Sequence, residues 1–326
     1  MLNSTIGFLG AGQLAKMSAL AAFNYGHRTA FYSDRATKEP CSYLSPNISF
    51  GSFEDYPKLE IFAYNCDIVT LENEFISPDI LKLLELKTGK KVFPSFATFS
   101  QINTKLNQKN TFSQFGIPVV PYFVIKDING IENNNDFKNF VEKYSYPFVM
   151  KSSFGGYDGY GNASIKSFDD LKNSFTKLSK NGLSEVFLEA FIPFEKELAV
   201  TVAQNSFETV VYPCVETIQK NHICELVIAP AIIDFDLAKK VQAYAEMAMK
   251  KLKAIGVFSF EFFLTKNGEI YLNELAPRPH NSAHYTIEAC YSSQFDNHIR
   301  AIMDYPARQS QNDFPHAIIL EIYRYN

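Results

Sequence analysis

The sequence has no tryptophan, no C-x-x-C pair, no surplus of basic residues and no apolar run near the ~20 residues of a membrane-spanning helix. Its 31 Lys and Arg stand against 35 Asp and Glu, for a formal net charge of −4. This balance lacks the basic footprint of a nucleic-acid-binding protein. No basic segment with a small-residue cleavage site precedes the first predicted strand. From these absences we expect a cytoplasmic protein that binds neither nucleic acid nor a membrane.

The chain has 326 residues, of which 46% are hydrophobic, so it can bury a large core divided over two or three domains. Its five cysteines are scattered, and we expect free thiols in a reducing compartment, most of them packed in the core. They are Cys41, Cys66, Cys214, Cys224 and Cys290.

Strands and helices alternate from Thr5 to about Phe93, which predicts a doubly wound parallel sheet. The predicted strands are Thr5–Gly10, Arg28–Tyr32, Cys66–Leu71 and Lys91–Phe93. The predicted helices are Gln13–Tyr25 and Pro78–Lys87, the second with a proline in its first turn.

The first strand runs into a glycine turn, in "IGFLGAGQLAKM". Gly10, Ala11 and Gly12 come close to the G-x-G-x-x-G/A fingerprint of dinucleotide-binding proteins. Asp34 lies near the ~20-residue spacing of a ribose-binding acid. The same turn could hold another phosphate, because the N-terminus of a helix favours any anion.

A helix at Gln101–Phe115 ends at Gly116-Ile117-Pro118, which indicates a domain boundary. Beyond it the pattern favours a strand-rich fold with two helices and one β-hairpin. A helix is predicted at Phe168–Leu178, a second at Asp236–Ala254, and a β-hairpin over Gly256–Glu274 that turns at Lys266-Asn267-Gly268. Further strands are predicted at Tyr146–Lys151, Ala163–Ile165, Glu185–Glu189, Lys196–Ala203, Thr209–Pro213 and Ile223–Ile228.

The second glycine-rich turn, "SFGGYDGYGN", follows a strand that ends in Lys151. Its glycines expose backbone N–H groups that can form an anion nest, and Lys151 adds a positive charge for phosphate oxygens. An ordinary hairpin turn is the alternative interpretation.

Two carboxylates of the predicted hairpin, Glu261 and Glu274, lie near the same end of its two arms, with Asn273 beside them. Carboxylate and amide oxygens are hard ligands that suit Mg²⁺ shared with phosphates. Without a cation, burying two such carboxylates side by side would lower the stability of the fold by several kcal/mol, through repulsion and the loss of hydration. The alternative is that one or both are surface charges.

Two other segments concentrate polar groups. The backbone of "LEAFIPFEKEL" can form hydrogen bonds with the edge of an adenine ring. Glu189 and Glu197 can accept hydrogen bonds from the adenine amine and the ribose hydroxyls. The alternative interpretation is a solvent-exposed acidic segment. "NELAPRPHNSAHYTIEA" places Arg278, His280 and Asn281 beside the carboxylate pair. A guanidinium next to an imidazole and an amide suits a small planar anion, although a satisfied proline-rich turn is the alternative.

Taken together and in order, these segments resemble the N5-carboxyaminoimidazole ribonucleotide synthetases of the ATP-grasp superfamily. The resemblance spans roughly Ile6 to Ile302, and "NELAPRPHNSAHYTIEA" is its most specific part. The other matching stretches are "GFLGAGQLAKM", "DIVTLENEF", "PFVMKSSFGGYDGYGN", "EAFIPFEKELAV", "VYPCVETI", "LVIAPA" and "SSQFDNHIRAI".

The resemblance implies an α/β protein in which a Rossmann-like pre-ATP-grasp domain precedes an ATP-grasp fold (α+β). The implied domains are residues 1–97, a central subdomain with the glycine-rich loop at 98–182, and a C-terminal subdomain at 183–326. The family continues past this point into a small β-rich stretch with a Lys and an Arg for the substrate phosphate. Since the sequence stops at Asn326, we expect that subdomain to be shortened.

The resemblance also implies site residues, in four groups. ATP-binding residues are Lys105, Lys151, Gly156, Tyr157, Asp158, Gly159, Tyr160, Gly161, Asn162, Glu189, Ala190, Phe191, Ile192, Glu197, Asn273 and Glu274. Substrate-binding residues are Gly12, Gln13, Leu14, Glu74, Tyr157 and Arg278. Catalytic residues are Asp158, Arg278, His280 and Asn281. Mg²⁺ ligands are Glu261 and Glu274.

The implied activity is ATP-dependent carboxylation of 5-aminoimidazole ribonucleotide by bicarbonate through carboxyphosphate, in a homodimer. The loop Gly155–Gly161 would close and exclude water, and the first glycine turn would face the ribonucleotide rather than NAD. Two positions depart from the family: Tyr160 stands for a basic residue and Gln219 for a histidine. The alternatives are another ATP-grasp ligase, such as one joining formate to glycinamide ribonucleotide, and a nucleotide-binding protein with little activity.

Overall fold

The computed structural model of the chain describes residues 3–35, 38–45, 47–154, 161–180, 185–220, 223–308 and 317–320. These residues form three sheets with helices packed around them. No helix within these ranges is long and apolar enough to cross a membrane. All five cysteines are free and buried, as expected.

The N-terminal sheet has five parallel strands in the order β3-β2-β1-β4-β5. The strands are β1 (Thr5–Leu9), β2 (Arg28–Ser33), β3 (Ile48–Phe50), β4 (Ile68–Leu71) and β5 (Lys91–Phe93). Its helices are α1 (Gln13–Asn24), α2 (Tyr56–Tyr64), α3 (Pro78–Thr88) and α4 (Phe96–Phe99). Apolar clusters lie on both faces of the sheet, which explains why β1 and β4 are almost continuously apolar. The predicted doubly wound sheet is confirmed.

A four-stranded antiparallel sheet follows, in the order β6-β9-β7-β8. Its strands are β6 (Tyr122–Ile125), β7 (Phe148–Ser152), β8 (Asn162–Ile165) and β9 (Val186–Ala190). Helices α5 (Lys105–Gln114), α6 (Asn135–Tyr144) and α7 (Phe168–Lys180) belong to the same part of the chain. Because β9 pairs with both β6 and β7, this sheet runs to Ala190, past the expected boundary at residue 182.

The third sheet is antiparallel, in the order β15-β14-β10-β12-β13-β16, with β11 paired to β10. Its strands are β10 (Phe194–Gln204), β11 (Thr209–Val211), β12 (Val215–Lys220), β13 (Ile223–Ala229), β14 (Gly256–Thr265), β15 (Ile270–Ala276) and β16 (Ala317–Leu320). Helix α8 (Phe235–Leu252) begins at its Asp234 cap and packs against β10 and β14. Gly268, with φ +78°, supplies the left-handed turn of the predicted β14–β15 hairpin.

Two short helices, α9 (Thr286–Ala289) and α10 (Gln294–Ile302), follow the β14–β15 hairpin. Ser293 and Asp296 form a capping box that starts α10. Phe295, Ile299 and Ile302 on this helix join the apolar cluster of α1, so the late segment packs on the N-terminal domain. The carboxyl ends of the parallel strands are thereby held beside the β14–β15 hairpin.

Candidate active site

The β14–β15 hairpin brings the two predicted metal ligands together. Glu261 and Glu274 lie directly opposite each other in the antiparallel register, with a register shift immediately after Glu261. Directly opposed residues share one face of a sheet. Phe260 and Phe262, which alternate with Glu261, are buried in the core. The two carboxylates therefore face away from the core as a pair.

Two lysines from other elements converge on this pair. Lys105, the first residue of α5, places Nζ 3.0 Å from Oε2 of Glu274. Lys151, on β7, places Nζ 3.4 Å from Oδ1 of Asn273, the neighbour of Glu274 on β15. Three elements thus bring cationic and anionic groups to one point, the arrangement expected of a site for a nucleotide and a cation.

Electrostatics differ sharply between the two acids. Burial, followed by the charges of Glu274 and Glu197, raises the pKa of Glu261 to about 7. Burial also acts to raise the pKa of Glu274 and is the largest single effect on it, but the charges of Lys105 and Lys151 together hold that pKa below its usual value. One carboxylate already has a cation and the other lacks one, so Glu261 is the group that a bound cation would benefit most.

The donor set suits Mg²⁺ shared with a ligand. Among the residues that the structure describes, no cluster of three or more His, Cys, Asp or Glu side chains could hold a metal by itself. Mg²⁺ commonly binds through one or two carboxylates and completes its shell with phosphate oxygens and water. Glu261 and Glu274, with the Asn273 amide beside them, supply that number of protein oxygens.

Glu189 lies near the end of β9, where its carboxylate contacts two lysines. Its carboxylate, 2% exposed, pairs with Lys109 through one oxygen and with Lys151 through the other, at 2.5 Å from Lys151. Both oxygens of this carboxylate contact lysines, and the expectation that the side chain accepts from an adenine amine stays a prediction. The following residues do stay at the surface: Phe191 is exposed and Ile192 half-buried, in the link between β9 and β10. Their neighbour Ala190 is buried at the end of β9.

Glu197 and Gln219 face each other across adjacent strands. Glu197 lies on β10 opposite Thr217 of β12, and the Gln219 side chain hydrogen-bonds to its carboxylate. Burial raises the pKa of Glu197, and the Gln219 contact opposes that shift. The residue that departs from the family pattern thus contacts the predicted ribose carboxylate directly.

The glycine turn before α1 contains a protein carboxylate where a ligand phosphate was expected. Glu72, just after β4, accepts from the N–H of Gly12 at 2.7 Å and from that of Ala15 at 3.5 Å. A Cβ at Gly10 or Gly12 would lie 2.3 Å from an oxygen of Glu72. These glycines make room for Glu72, which occupies the α1 N-terminus. Gln13 is exposed beside this carboxylate and Leu14 is half-buried, and the expectation that the turn faces the ribonucleotide stays a prediction.

Glu74 and Arg278, both predicted to bind substrate, contact each other. Nε and Nη2 of Arg278 donate to the two oxygens of Glu74 at 2.5 and 3.0 Å, and Nη1 donates to the Pro279 carbonyl. This bidentate pair connects the N-terminal domain to the segment after β15. A guanidinium carries five N–H donors, so these contacts leave two for a ligand.

His280 is fixed as a neutral imidazole. Its Nδ1 accepts from the Ser282 N–H at 3.4 Å, which leaves the ring proton on Nε2, 3.6 Å from Oε1 of Glu261. Burial, then Arg278 and His284, lowers the pKa of His280 to about 3. The backbone of His280 is bracketed by Gln294, whose amide accepts from its N–H and donates to its carbonyl, each at 2.8 Å. Asn281 follows in a 3-10 helix, Asn281–Ala283.

Comparison with known proteins identifies this arrangement. Residues 110–295 match the ATP-grasp domain, and residues 3–103 match the ribonucleotide synthetase preATP-grasp domain. The N5-carboxyaminoimidazole ribonucleotide synthase of Staphylococcus aureus is 35% identical over 301 residues, which cover 92% of this chain and 77% of that protein. The chain belongs to the N5-carboxyaminoimidazole ribonucleotide synthase family. The predicted fold class, a pre-ATP-grasp domain followed by an ATP-grasp domain, is confirmed.

Two more relatives of this family show how much of it the chain spans. A phosphoribosylaminoimidazole carboxylase from Ogataea methanolica is 37% identical over 309 residues, 94% of this chain but 55% of that protein. The N5-carboxyaminoimidazole synthase of Aspergillus clavatus, solved with ADP and 5-aminoimidazole ribonucleotide, matches with a TM-score of 0.87 at 32% identity. That match covers 98% of this chain and 81% of the Aspergillus chain. The chain therefore spans about half the length of the Ogataea relative.

Part of the glycine-rich loop lies outside the described residues. Gly156, Tyr157, Asp158, Gly159 and Tyr160 are in this segment, and their roles stay predictions. The strand residues on either side of this segment lie next to the site, because Lys151 on β7 pairs with Asn162 on β8. Gly161, with φ +81°, leads back into β8.

The sequence analysis of this family member missed three residues: Glu72, Lys109 and Gln294. Glu72 was visible in "LENEF", since a residue just after β4 lies beside the end of the neighbouring parallel strand β1. Lys109 lies one helical turn after Lys105, on the same face of α5. Gln294 stands in "SSQFDN", a matching stretch to which no role was assigned.

Proposed function

We propose that the chain carboxylates 5-aminoimidazole ribonucleotide with bicarbonate at the expense of ATP, forming N5-carboxyaminoimidazole ribonucleotide in purine biosynthesis. The observation that carries this proposal is the convergence of Lys105, Lys151 and the Glu261–Glu274 pair beside the Arg278–Glu74 pair. The names of the family relatives and the ADP and aminoimidazole ribonucleotide of the Aspergillus complex support the choice of substrates.

In this proposal, ATP lies between the second and third sheets, next to the segment that joins β9 to β10. The backbone of Ala190–Ile192 would contact adenine, Glu197 the ribose, and Lys105 and Lys151 the phosphates. Mg²⁺, when bound by Glu261 and Glu274, would neutralise negative charge on the phosphates. Lys151 is half-buried at the cleft, so its charge would act on the phosphates with little screening by water.

Bicarbonate would lie near Arg278. Glu74 fixes the guanidinium plane, so the two remaining N–H donors keep one direction and can hold a planar anion in line with the phosphate. Phosphoryl transfer to bicarbonate gives carboxyphosphate and ADP. The 5-amino group then attacks the carbon, a C–N bond forms, and phosphate leaves. Neutral His280 would donate from Nε2 without adding charge. The expectation that Asp158 handles the amine proton stays a prediction.

The decisive experiment measures ADP formation with bicarbonate and Mg²⁺, with and without aminoimidazole ribonucleotide. We expect ADP formation that depends on the acceptor, and its loss in the Glu274→Gln variant. Glu269→Gln is the matched control, because Glu269 is an exposed carboxylate at the turn of the same hairpin. ADP binding without acceptor-dependent turnover would refute the ligase proposal and leave a nucleotide-binding protein. Turnover with glycinamide ribonucleotide and formate instead would indicate a different ATP-grasp ligase.

Arg278→Lys tests the bicarbonate end of the site separately. Lysine cannot reproduce the bidentate contact with Glu74, so we expect kcat/KM for bicarbonate to fall by about 10- to 100-fold. ADP affinity should not change, because the phosphate-binding lysines lie elsewhere. Equal losses in ADP binding and in kcat/KM would contradict this division of the site.

We also propose that the protein works in the cytoplasm as a homodimer. Five buried free thiols are typical of a reducing compartment, which supports the first part. The dimer rests on analogy with the family. Light scattering coupled to size-exclusion chromatography tests it, and a mass near the 37.0 kDa of one chain would refute it.

A further inference from the structure

Lys109 is a buried cation one turn behind the candidate phosphate-binding residue Lys105. It is 3% exposed, on the same face of α5. Its Nζ pairs with Glu189, and it lies 5.9 Å from the ring centroid of Tyr122. A fully buried lysine is rare unless a specific partner holds it. The question is what this charge does so close to a site without entering it.

Glu189 is the partner that connects Lys109 to the cleft. One of its oxygens contacts Lys109 and the other contacts Lys151, at 2.5 Å. All three charges are nearly withdrawn from water, with Glu189 at 2% and the Lys151 side chain at 13% exposure. One negative charge therefore faces two positive charges, which leaves a net charge of +1.

Of Lys109, Glu189 and Lys151, only Lys151 reaches the candidate nucleotide site beside Glu261 and Glu274. We therefore assign the remaining positive charge of this triad to Lys151. Its Nζ also lies 3.4 Å from Oδ1 of Asn273, beside Glu274. If Lys109 lost its charge, Glu189 would be balanced by Lys151 alone, because an unpaired buried carboxylate is costly. Lys151 would then be neutralised inside the protein instead of acting on a ligand phosphate.

We propose that Lys109 is a positioning residue that balances Glu189 so that the charge of Lys151 is available to the phosphates of a nucleotide. This inference rests on the nucleotide site of the proposed function. It gives Lys109 no contact with the nucleotide, so its effect should depend on the number of phosphates that the ligand carries. A merely structural role would affect every ligand alike.

The test measures dissociation constants of adenosine, AMP and ADP by calorimetry, for the full chain and for Lys109→Met. We expect the Kd for ADP to rise by about 10- to 100-fold, the weight of one charge-assisted contact. The Kd for adenosine should stay within about twofold, the additivity error of such comparisons. The matched control is Lys250→Met, which removes an exposed lysine from a helical ion pair with Glu246.

The double variant Lys109→Met/Glu189→Gln removes both balanced charges and restores the surplus at Lys151. We expect it to bind ADP within about twofold of the unmodified chain. It also keeps the inference testable if Lys109→Met alone does not fold, because it leaves no buried carboxylate without a lysine, and the remaining charge of Lys151 lies at the partly exposed end of the triad. An ADP affinity reduced tenfold or more in the double variant would overturn the proposal. So would an equal loss for adenosine and ADP in Lys109→Met, or no loss for either.

Failure of this inference can be told apart from failure of the proposed function. If the unmodified chain does not bind ADP, the nucleotide site itself is wrong. If the unmodified chain binds ADP and Lys109→Met binds it equally well, the site stands and the role of Lys109 is refuted.

Discussion

Neutral His298 joins three elements of the fold, and its protonation should destabilise the protein. The ring lies on α10, where Nδ1 accepts from the N–H of Val257 on β14 at 3.1 Å. Nε2 lies 3.0 Å from Oγ1 of Thr70 on β4, which donates to the Phe93 carbonyl. Because Nδ1 accepts, the ring proton is on Nε2, and the neutral ring satisfies both contacts. Burial lowers the pKa of His298 to about 4.

The magnitude follows from linkage. The unperturbed pKa of a histidine is 6.5, so His298 binds its second ring proton more tightly in the unfolded chain than in the folded chain. A lowered folded-state pKa means that the stability is present above pH 6.5 and is lost as the pH falls towards 4. Between pH 7.5 and 5.0 the loss from this one group is about 2 kcal/mol, out of a limit of about 3 kcal/mol.

Urea unfolding at pH 7.5 and 5.0, for the unmodified chain and His298→Asn, measures this contribution. The Asn side chain can still accept from Val257 but does not titrate, so the variant should lose about 2 kcal/mol less on acidification. Every other titrating group is common to both proteins and cancels in the comparison. Equal acid losses, within about 0.5 kcal/mol, would refute the assignment of this pH dependence to His298.

Two further predictions concern the carboxylates of the site. Gly12→Ala should lower the free energy of unfolding by about 1–3 kcal/mol, because the added Cβ would lie 2.3 Å from Oε1 of Glu72. Thermal unfolding of the variant measures this loss, and an unchanged melting temperature would contradict the close contact. Mg²⁺ binding in the presence of ADP should weaken about tenfold from pH 8 to pH 6, because Glu261 has a pKa of about 7 and must lose its proton to bind a cation. Calorimetry should show this dependence reduced in Glu261→Gln, and an equal pH dependence in both proteins would refute it.

The elements that sequence patterns predicted best are those whose local signals agree with their packing. The strand at Lys91–Phe93 and the start of α3 at Pro78 were predicted where the structure has them. The helix predicted from Gln101 begins instead at Lys105, because the Thr104 side chain accepts from the N–H of Asn107 and caps it there.

Some of the elements that were missed have weak or short patterns. Strand β3 has three residues, half-buried or exposed, too few for a period of two to show. Helix α6 has few apolar residues, although Phe137 and Phe140 bury one face of it. Helix α10 carried a usable signal, the capping box of Ser293 and Asp296, directly before its apolar positions.

For the candidate site, the sequence predicted where several charged residues lie, but it did not predict which groups they contact. Register brought Glu261 opposite Glu274, because a hairpin with a known turn fixes which residues face each other. Glu72 and Glu189 were equally visible as acidic residues at strand ends, yet both are directed at protein donors: a helix N-terminus and two lysines. A carboxylate is drawn to whichever positive group is nearest in three dimensions, and strand alternation does not report that distance. Which acids meet a ligand and which balance the protein's own charges is therefore decided by tertiary packing.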